Sequence, residues 1–334
     1  MDVSVIMPTR DKARFLERTL ESLIRQETAS SYEIVVIDNG SRDETADVLE
    51  RYRRLDPRVS SRFLAEPGRA AARNLGIAAA RGEIILFIDD DCICPPDLIQ
   101  AHVDRQRTPD AVVLGARREV FSVLPADADL VAAVGPAAAA VDHSVTAAPA
   151  AYERVCLWDI WDIRHRFDAI VAASGLHENA ARAEHLDLIA TGASVSPWLS
   201  FLTCHASVPA ALCREVGAFD DGFLGWGEED TELGYRLWRA GATFQALTGT
   251  PVYHQVHPRA QSDATRDWFD NYRHAAAKHP GPDWRLRWRL SLGYLTHLEY
   301  EETIRAVRAG DQERAATIDR QYETFVRMWP KMRR

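Results

Sequence analysis

Two acidic stretches carry the chemistry that this sequence can do. In "GEIILFIDDDCICPPDL" (residues 82–98) an apolar run ends abruptly in Asp89, Asp90 and Asp91. Three adjacent carboxylates at the edge of a core repel one another and are costly to desolvate. In an extended segment residues two apart point the same way, so Asp89 and Asp91 are expected to converge while Asp90 turns elsewhere. Two converging hard oxygen donors suit Mg²⁺ or Mn²⁺, ions that keep positions open for phosphate oxygens. A dication is therefore the expected counterion, and a nucleoside diphosphate the expected third party. The second stretch, "FLGWGEEDTELGYRL" (residues 223–237), places Glu228, Glu229 and Asp230 before a helix. Acidity at a helix N-terminus explains the sign of these charges but not the "GWG" before them. Glycines flanking Trp226 allow a tight turn that offers its ring to a ligand. Downstream, "PVYHQVHP" offers His254 and His257, whose imidazoles also suit Mn²⁺.

The elements that must position these groups follow from periodicity. Residues 3–9, "VSVIMPT", read as a buried strand, and residues 13–26 continue with helical spacing. Residues 32–41 read as a second strand ending in an Asx-Gly turn, followed by a helix; residues 70–82 read as a third helix closed by a glycine. "EIILFID" is the next long strand. Such alternation implies parallel βαβ units covered by helices on both faces. Ligands of such sheets bind at the carboxyl ends of the strands, where Thr9, Asp38 and Asp89 all stand. Three units are expected: residues 1–115 and 116–258 as two halves of one α/β domain, and 259–334 as a C-terminal helical extension. Residues 125–151 are Ala/Pro-rich and weakly patterned, and read as a mobile loop or lid. "CLWDIWDIRHRFDAIVA" then resumes helical spacing, with Trp158 and Trp161 on it.

Composition narrows the class. The chain has 334 residues with 46% hydrophobic content and a net charge of −9, which argues against nucleic-acid binding. The five cysteines, Cys92, Cys94, Cys156, Cys204 and Cys213, suit neither a zinc knuckle nor a redox pair and read as reduced thiols. No signal peptide is visible, and no window approaches the roughly 18 apolar residues of a membrane span. The expected location is cytoplasmic. The basic aromatic patch "WRLRWR" (residues 284–289) and the terminal "KMRR" read first as solvated helix faces, and second as a peripheral contact with an anionic membrane.

Four segments in order, "SVIMPTRDKARFLERTLESL", "EIVVIDNGSRDET", "AAARNLGIAAARGEIILFIDDD" and "GAFDDGFLGWGEEDTELGYRLWRAG", resemble family 2 glycosyltransferases of the GT-A fold. The resemblance covers residues 3–92 and 200–257. It implies a Rossmann-like, mostly parallel central sheet flanked by helices, which binds a nucleotide sugar. In such enzymes Pro8 and Thr9 lie in the loop lining the base, and Asp38 accepts a hydrogen bond from uracil. The family more often has Asp-Asp-Gly-Ser, so Asn39 departs from its pattern. Arg73, in "ARN", resembles a residue near the nucleotide, and Asp90 is grouped with these nucleotide-facing positions. Asp89 would meet the ribose or the metal, Asp91 would be the firmer metal ligand, and His254 in "YHQ" resembles a third.

The same resemblance places the catalytic base at Asp230, the last residue of the "W-G-x-E-D" pattern, with Glu229 holding a sugar hydroxyl and Trp226 lining the substrate. An aspartate, with an ordinary pKa of about 3.9, takes the acceptor's proton late, as the new bond forms. A base opposite the diphosphate implies inversion at the anomeric carbon. The expected function is metal-dependent transfer from a nucleotide donor, expected to be a UDP-sugar, to a hydroxyl of a saccharide, lipid-linked sugar, peptide or natural product. Two alternatives stand beside it: a catalytically silent nucleotide-sugar-binding scaffold, and a sugar nucleotidyltransferase. "MPTRDKARF" has no glycine, which counts against the latter.

Overall fold

The computed structural model describes residues 1–66, 68–120, 160–168, 171, 177–178, 180–255 and 264–332. The 125–151 segment, Trp158 and His257 lie outside the described residues. Strands β1 (Val3–Thr9), β2 (Tyr32–Asp38), β3 (Val59–Phe63) and β4 (Ile84–Ile88) are mutually parallel, in the spatial order β3-β2-β1-β4. Between them run α1 (Ala13–Ile24), α2 (Thr45–Leu55) and α3 (Arg69–Ala79). Almost every residue of β1, β2 and β4 is buried, as a sheet covered on both faces requires. One face packs Ile6, Ile37 and Phe87 against Ala72 and Ile77 of α3; the other packs Val5, Met7 and Val36 against Leu16 and Leu20 of α1 and Leu49 of α2. Each such fully buried side chain contributes roughly 1.5–3 kcal/mol.

The second half of the sheet is mixed. Strand β8 (His205–Pro209) runs antiparallel to both β4 and β6 (Ala111–Val120), whereas β9 (Thr243–Gln255) is parallel to β6. Short β5 (Cys92–Ile93) pairs antiparallel with β9, and β7 (His177–Glu178) with β6. The parallel character expected from sequence thus belongs to the first four strands and to the β6–β9 pair. Residue 115 falls inside β6, so the two expected halves share one sheet. The remaining helices of this part are α4 (Leu98–Arg105), α5 (Ile160–His165), α6 (Ala180–Ala190), α7 (Ala210–Glu215) and α8 (Glu229–Arg239).

Four helices follow: α9 (Ala264–Lys278), α10 (Pro282–Ser291), α11 (His297–Arg308) and α12 (Gln312–Met332). They pack through an aromatic cluster that includes Trp198, Tyr235, Trp268, Tyr272, Trp284, Phe325 and Trp329. The aromatic patch of "WRLRWR" is turned inward. Trp284 is fully buried, and half-buried Trp288 stacks on Phe325 with centroids 4.2 Å apart. Helical periodicity explains this: the two tryptophans are four residues apart and share the core-facing stripe. Arg285 and Arg289 reach Asp319 and Gln321 of α12 at 2.6 and 3.1 Å. No helix among the described residues is long and apolar enough to cross a membrane.

Glu232 ties α8 to this extension. Its fully buried carboxylate accepts from His279 at 2.8 Å, lies 2.9 Å from Lys278 Nζ, and meets Arg236 one turn along α8 at 2.9 Å. Burial alone would raise its pKa, but these cations outweigh that and bring it down to about 2. The stabilisation is therefore complete above the unfolded carboxylate's range and is lost as pH falls toward 2. Glu232→Gln should cost about 3 kcal/mol in urea denaturation at pH 7. The gap from wild type should narrow below about pH 4.5; a gap independent of pH would contradict the pairing.

Candidate functional site

The carboxyl ends of β1 and β2 are flush, because Thr9 is in register with Asp38. Pro8 and Thr9 are therefore the last residues of a strand and not part of a loop. Asp38 accepts the Ser41 amide at 2.9 Å, forming the turn that ends β2. Asn39 accepts the Gly68 amide at 2.9 Å and so fixes the start of α3. The departure from the family's second aspartate thus has a local structural role.

At the end of β4 the chain turns at once, with the Cys92 amide donating back to the Asp89 carbonyl at 3.2 Å. The alternation of an extended strand stops at Ile88, which corrects the expected convergence of Asp89 and Asp91. Asp90 and Asp91 instead share the Lys12 ammonium, which contacts Asp91 Oδ2 directly and lies 3.4 Å from Asp90 Oδ1. Asp89 faces the other way, 3.5 Å from Arg73 Nη2. Burial would lower the Lys12 pKa, but Asp90, Asp91 and Asp89 together raise it well above its ordinary value, keeping it charged. Asp90 is raised by burial, with Asp91 adding and Lys12 opposing. Asp91 also meets the imidazole delivered by β9: the register pairs Cys92 with His254, and His254 Nε2 lies 3.4 Å from Asp91 Oδ1. The other ring nitrogen, Nδ1, lies 2.6 Å from Glu119 Oε2, and Glu119 is held in turn by Arg117 at 3.0 Å.

Arg73 is the second centre of charge. It is 3% exposed, and its guanidinium reaches Asp89, Glu229 Oε1 at 3.1 Å and Asp230 Oδ1 at 3.3 Å. Arg73 thereby brings the N-terminus of α8, 156 residues further along the chain than itself, to the end of β4. Burial works against the Arg73 charge, but Asp230, Asp89 and Glu229 more than compensate and raise its pKa. Asp230 is raised by burial, with Glu229 adding and Arg73 and Thr203 opposing. One guanidinium shared among three carboxylates returns less to Asp230 than its desolvation costs. The Asp230 Oδ2 accepts from the Thr203 amide at 3.0 Å and hydroxyl at 2.9 Å, which fixes its orientation. Trp226 is 42% exposed on the turn before α8.

The structure therefore brings Arg73, Asp89, Glu229 and Asp230 together, and Asp90 and Asp91 together around Lys12, with His254 against Asp91. Among the described residues no three His, Cys, Asp or Glu side chains form a ready-made metal cluster. Lys12, Glu119 and Thr203 were missed by the sequence reading. Lys12 stands in "TRDKARF" with no acidic residue three or four positions away to hint at its partners. Removing the shared cation should be costly. Arg73→Ala should lower stability in urea by about 3–5 kcal/mol, and Arg73→Lys by less; a near-neutral Arg73→Ala would contradict the shared ion pair.

Two family models match: "Glycosyl transferase family 2" over residues 4–129 and "N-terminal domain of galactosyltransferase" over residues 193–258. The chain is 31% identical over 299 residues to validoxylamine A glucosyltransferase of Streptomyces hygroscopicus subsp. jinggangensis, covering 86% of this chain and 64% of that one. It is 26% identical over 267 residues to chondroitin synthase of Pasteurella multocida, covering 79% and 26%. The chain spans between 26% and 66% of the first curated relatives it matches. Among solved structures, GalNAc-T7 with UDP, GalNAc and Mn²⁺ superposes at a TM-score of 0.54 with 13% identity, covering 83% of this chain and 48% of that one. S. aureus TarS 1-349 with UDP-GlcNAc superposes at 0.50 with 18% identity, covering 86% and 67%. The fold is thus the α/β GT-A arrangement, and the chain belongs to glycosyltransferase family 2.

Proposed function

We propose that this chain transfers a sugar from a nucleotide donor, a UDP-sugar, to an acceptor hydroxyl, with inversion at the anomeric carbon. The observation that carries the reading is Arg73. One buried guanidinium joins Asp89, at the nucleotide end of the sheet, to Glu229 and Asp230, at the start of α8. Relatives and structural neighbours whose names include glucosyltransferase, UDP and UDP-GlcNAc support a nucleotide-sugar donor.

The roles follow from position and charge. Pro8, Thr9 and Asp38, at the flush ends of β1 and β2, receive the base. Asp89 faces the ribose, and Arg73 holds it, Glu229 and Asp230 in place before any ligand arrives. Glu229 holds a hydroxyl of the transferred sugar, and Trp226 offers its ring to the substrate. Asp230 is the base. Its burial raises its pKa, which brings it closer to the operating pH and improves it as a proton acceptor. Thr203 occupies one carboxylate oxygen from behind, so the other is the oxygen that receives the acceptor's proton. Asp230 Oδ1 is buried and makes no hydrogen bond, although Arg73 stands 3.3 Å away.

The donor set also fits a divalent cation. Asp91 and His254 approach within 3.4 Å, a hard oxygen beside an imidazole nitrogen, and Glu119 orients the ring from its far side. Asp91 and His254 would hold the ion, and oxygens of the diphosphate would supply further ligands. When bound, Mn²⁺ or Mg²⁺ supplies Lewis-acid stabilisation of the leaving diphosphate. Lys12 keeps Asp90 and Asp91 compensated in the meantime.

Calorimetry with UDP and a survey of UDP-sugars, with Mn²⁺ or with EDTA, tests the reading. UDP should bind with Mn²⁺ and weaken at least roughly tenfold in EDTA. Asp230→Asn should keep UDP affinity within about twofold while lowering UDP release from the preferred donor by roughly a hundredfold or more. Near-normal turnover of Asp230→Asn would exclude it as the base. UDP binding without turnover, across donors and acceptors, would favour the scaffold.

A further inference from the structure

The loop that presents Trp226 and leads into Asp230 is held from the C-terminal helices. Gly225, Gly227 and Glu228 all have positive φ, at 72°, 102° and 70°. Glu228 carries a Cβ, so its left-handed backbone is disfavoured and persists only where its surroundings over-determine it. Those surroundings are α9 and α10. The buried Asn271 side chain donates through Nδ2 to the carbonyls of Leu224 and Gly227, both at 2.9 Å, and accepts the Leu224 amide at 3.1 Å. Its amide thereby occupies the backbone polar groups on both sides of Trp226.

Glu228 is gripped in the same way. Trp268 Nε1 donates to its Oε1 at 2.8 Å, Ser291 donates to the same oxygen at 3.3 Å, and Arg287 Nε lies 3.5 Å from Oε2. Arg287 also reaches the Thr231 hydroxyl at 3.4 Å, in the first turn of α8. The two glycines of the loop lie close against α9. A Cβ on Gly225 would lie 2.1 Å from Asp267 Oδ2, and one on Gly227 would lie 3.4 Å from Trp268 Cδ1. Trp268 is itself fixed, stacked on Tyr272 at 5.7 Å and edge-on to Trp329 at 5.9 Å.

We infer that the C-terminal extension is part of the catalytic unit, and that Asn271 and Trp268 are positioning residues that hold the 224–228 loop so that Trp226, Glu229 and Asp230 face the substrate. The inference rests on the assignment of Asp230 as the base. It adds that the base is set by contacts from helices remote in sequence and absent from the nucleotide-binding half. Neither residue touches Lys12, Arg73 or the carboxyl ends of β1 and β2, so their removal should spare the donor side.

Full-length Trp268→Phe, which keeps the ring but loses the donor to Glu228, and Asn271→Asp, which loses the two N–H donors, test it. Hydrogen exchange of amides 224–232 should accelerate roughly tenfold in each variant, while the β1 and β2 amides exchange as in wild type. UDP affinity with Mn²⁺ should stay within about twofold, and kcat for the preferred UDP-sugar should fall roughly tenfold. Unchanged exchange over 224–232, or UDP affinity that falls in step with kcat, would overturn the inference. Turnover by Asp230→Asn would remove the base and leave the exchange result standing. An inactive Asp230→Asn beside two wild-type-like loop variants would remove only the positioning role.

Discussion

Charge compensation at the end of β4 is the constraint on which the rest of the site depends. Asp89, Asp90 and Asp91 are forced together where a buried strand stops, and isolated carboxylates in such a place would protonate or unfold the turn. Two protein cations answer them from opposite sides. Lys12 comes from the start of α1 and meets Asp90 and Asp91; Arg73 comes from α3 and meets Asp89. Both helices belong to βαβ units whose packing is fixed by the sheet, so the cations arrive by topology.

Arg73 does a second thing. Having one side against Asp89, it turns its remaining donors to Glu229 and Asp230 and so closes the site from α8. Asp89, after β4, and the first two residues of α8 are therefore joined through one guanidinium. In the same way, His254 reaches Asp91 only because β5 pairs with β9, one turn after the carboxylates. The mixed half of the sheet exists in this sense to bring β9 and α8 back to the ends of the parallel half.

Much of this was legible in the sequence. The strands that end at Thr9, at Asp38 and just before Asp89 could be read because buried parallel strands are continuous apolar runs, and Asp91 with His254 could be named before their proximity was known. The pairing within Asp89-Asp90-Asp91 could not. Period-2 alternation holds only while the backbone is extended, and the turn at Asp89 rotates each successive side chain. Lys12 was illegible for another reason: a lone lysine has no pattern, and its partners are 78 and 79 residues away. Asn271 and Trp268 read as ordinary members of a helix, since nothing in α9 itself marks contact with a loop 40 or more residues earlier. The inward turn of Trp284 and Trp288, by contrast, follows from their four-residue spacing.

A crystal grown with UDP and Mn²⁺, with anomalous differences recorded at the manganese edge, tests this arrangement most directly. The expected result is a single peak between Asp91 and His254, with the diphosphate on it, Lys12 drawn off Asp91, and Arg73 still joining Asp89 to Asp230. A diphosphate bound elsewhere, or Lys12 unmoved against Asp91 with no manganese beside it, would contradict the assignment of these carboxylates to the donor.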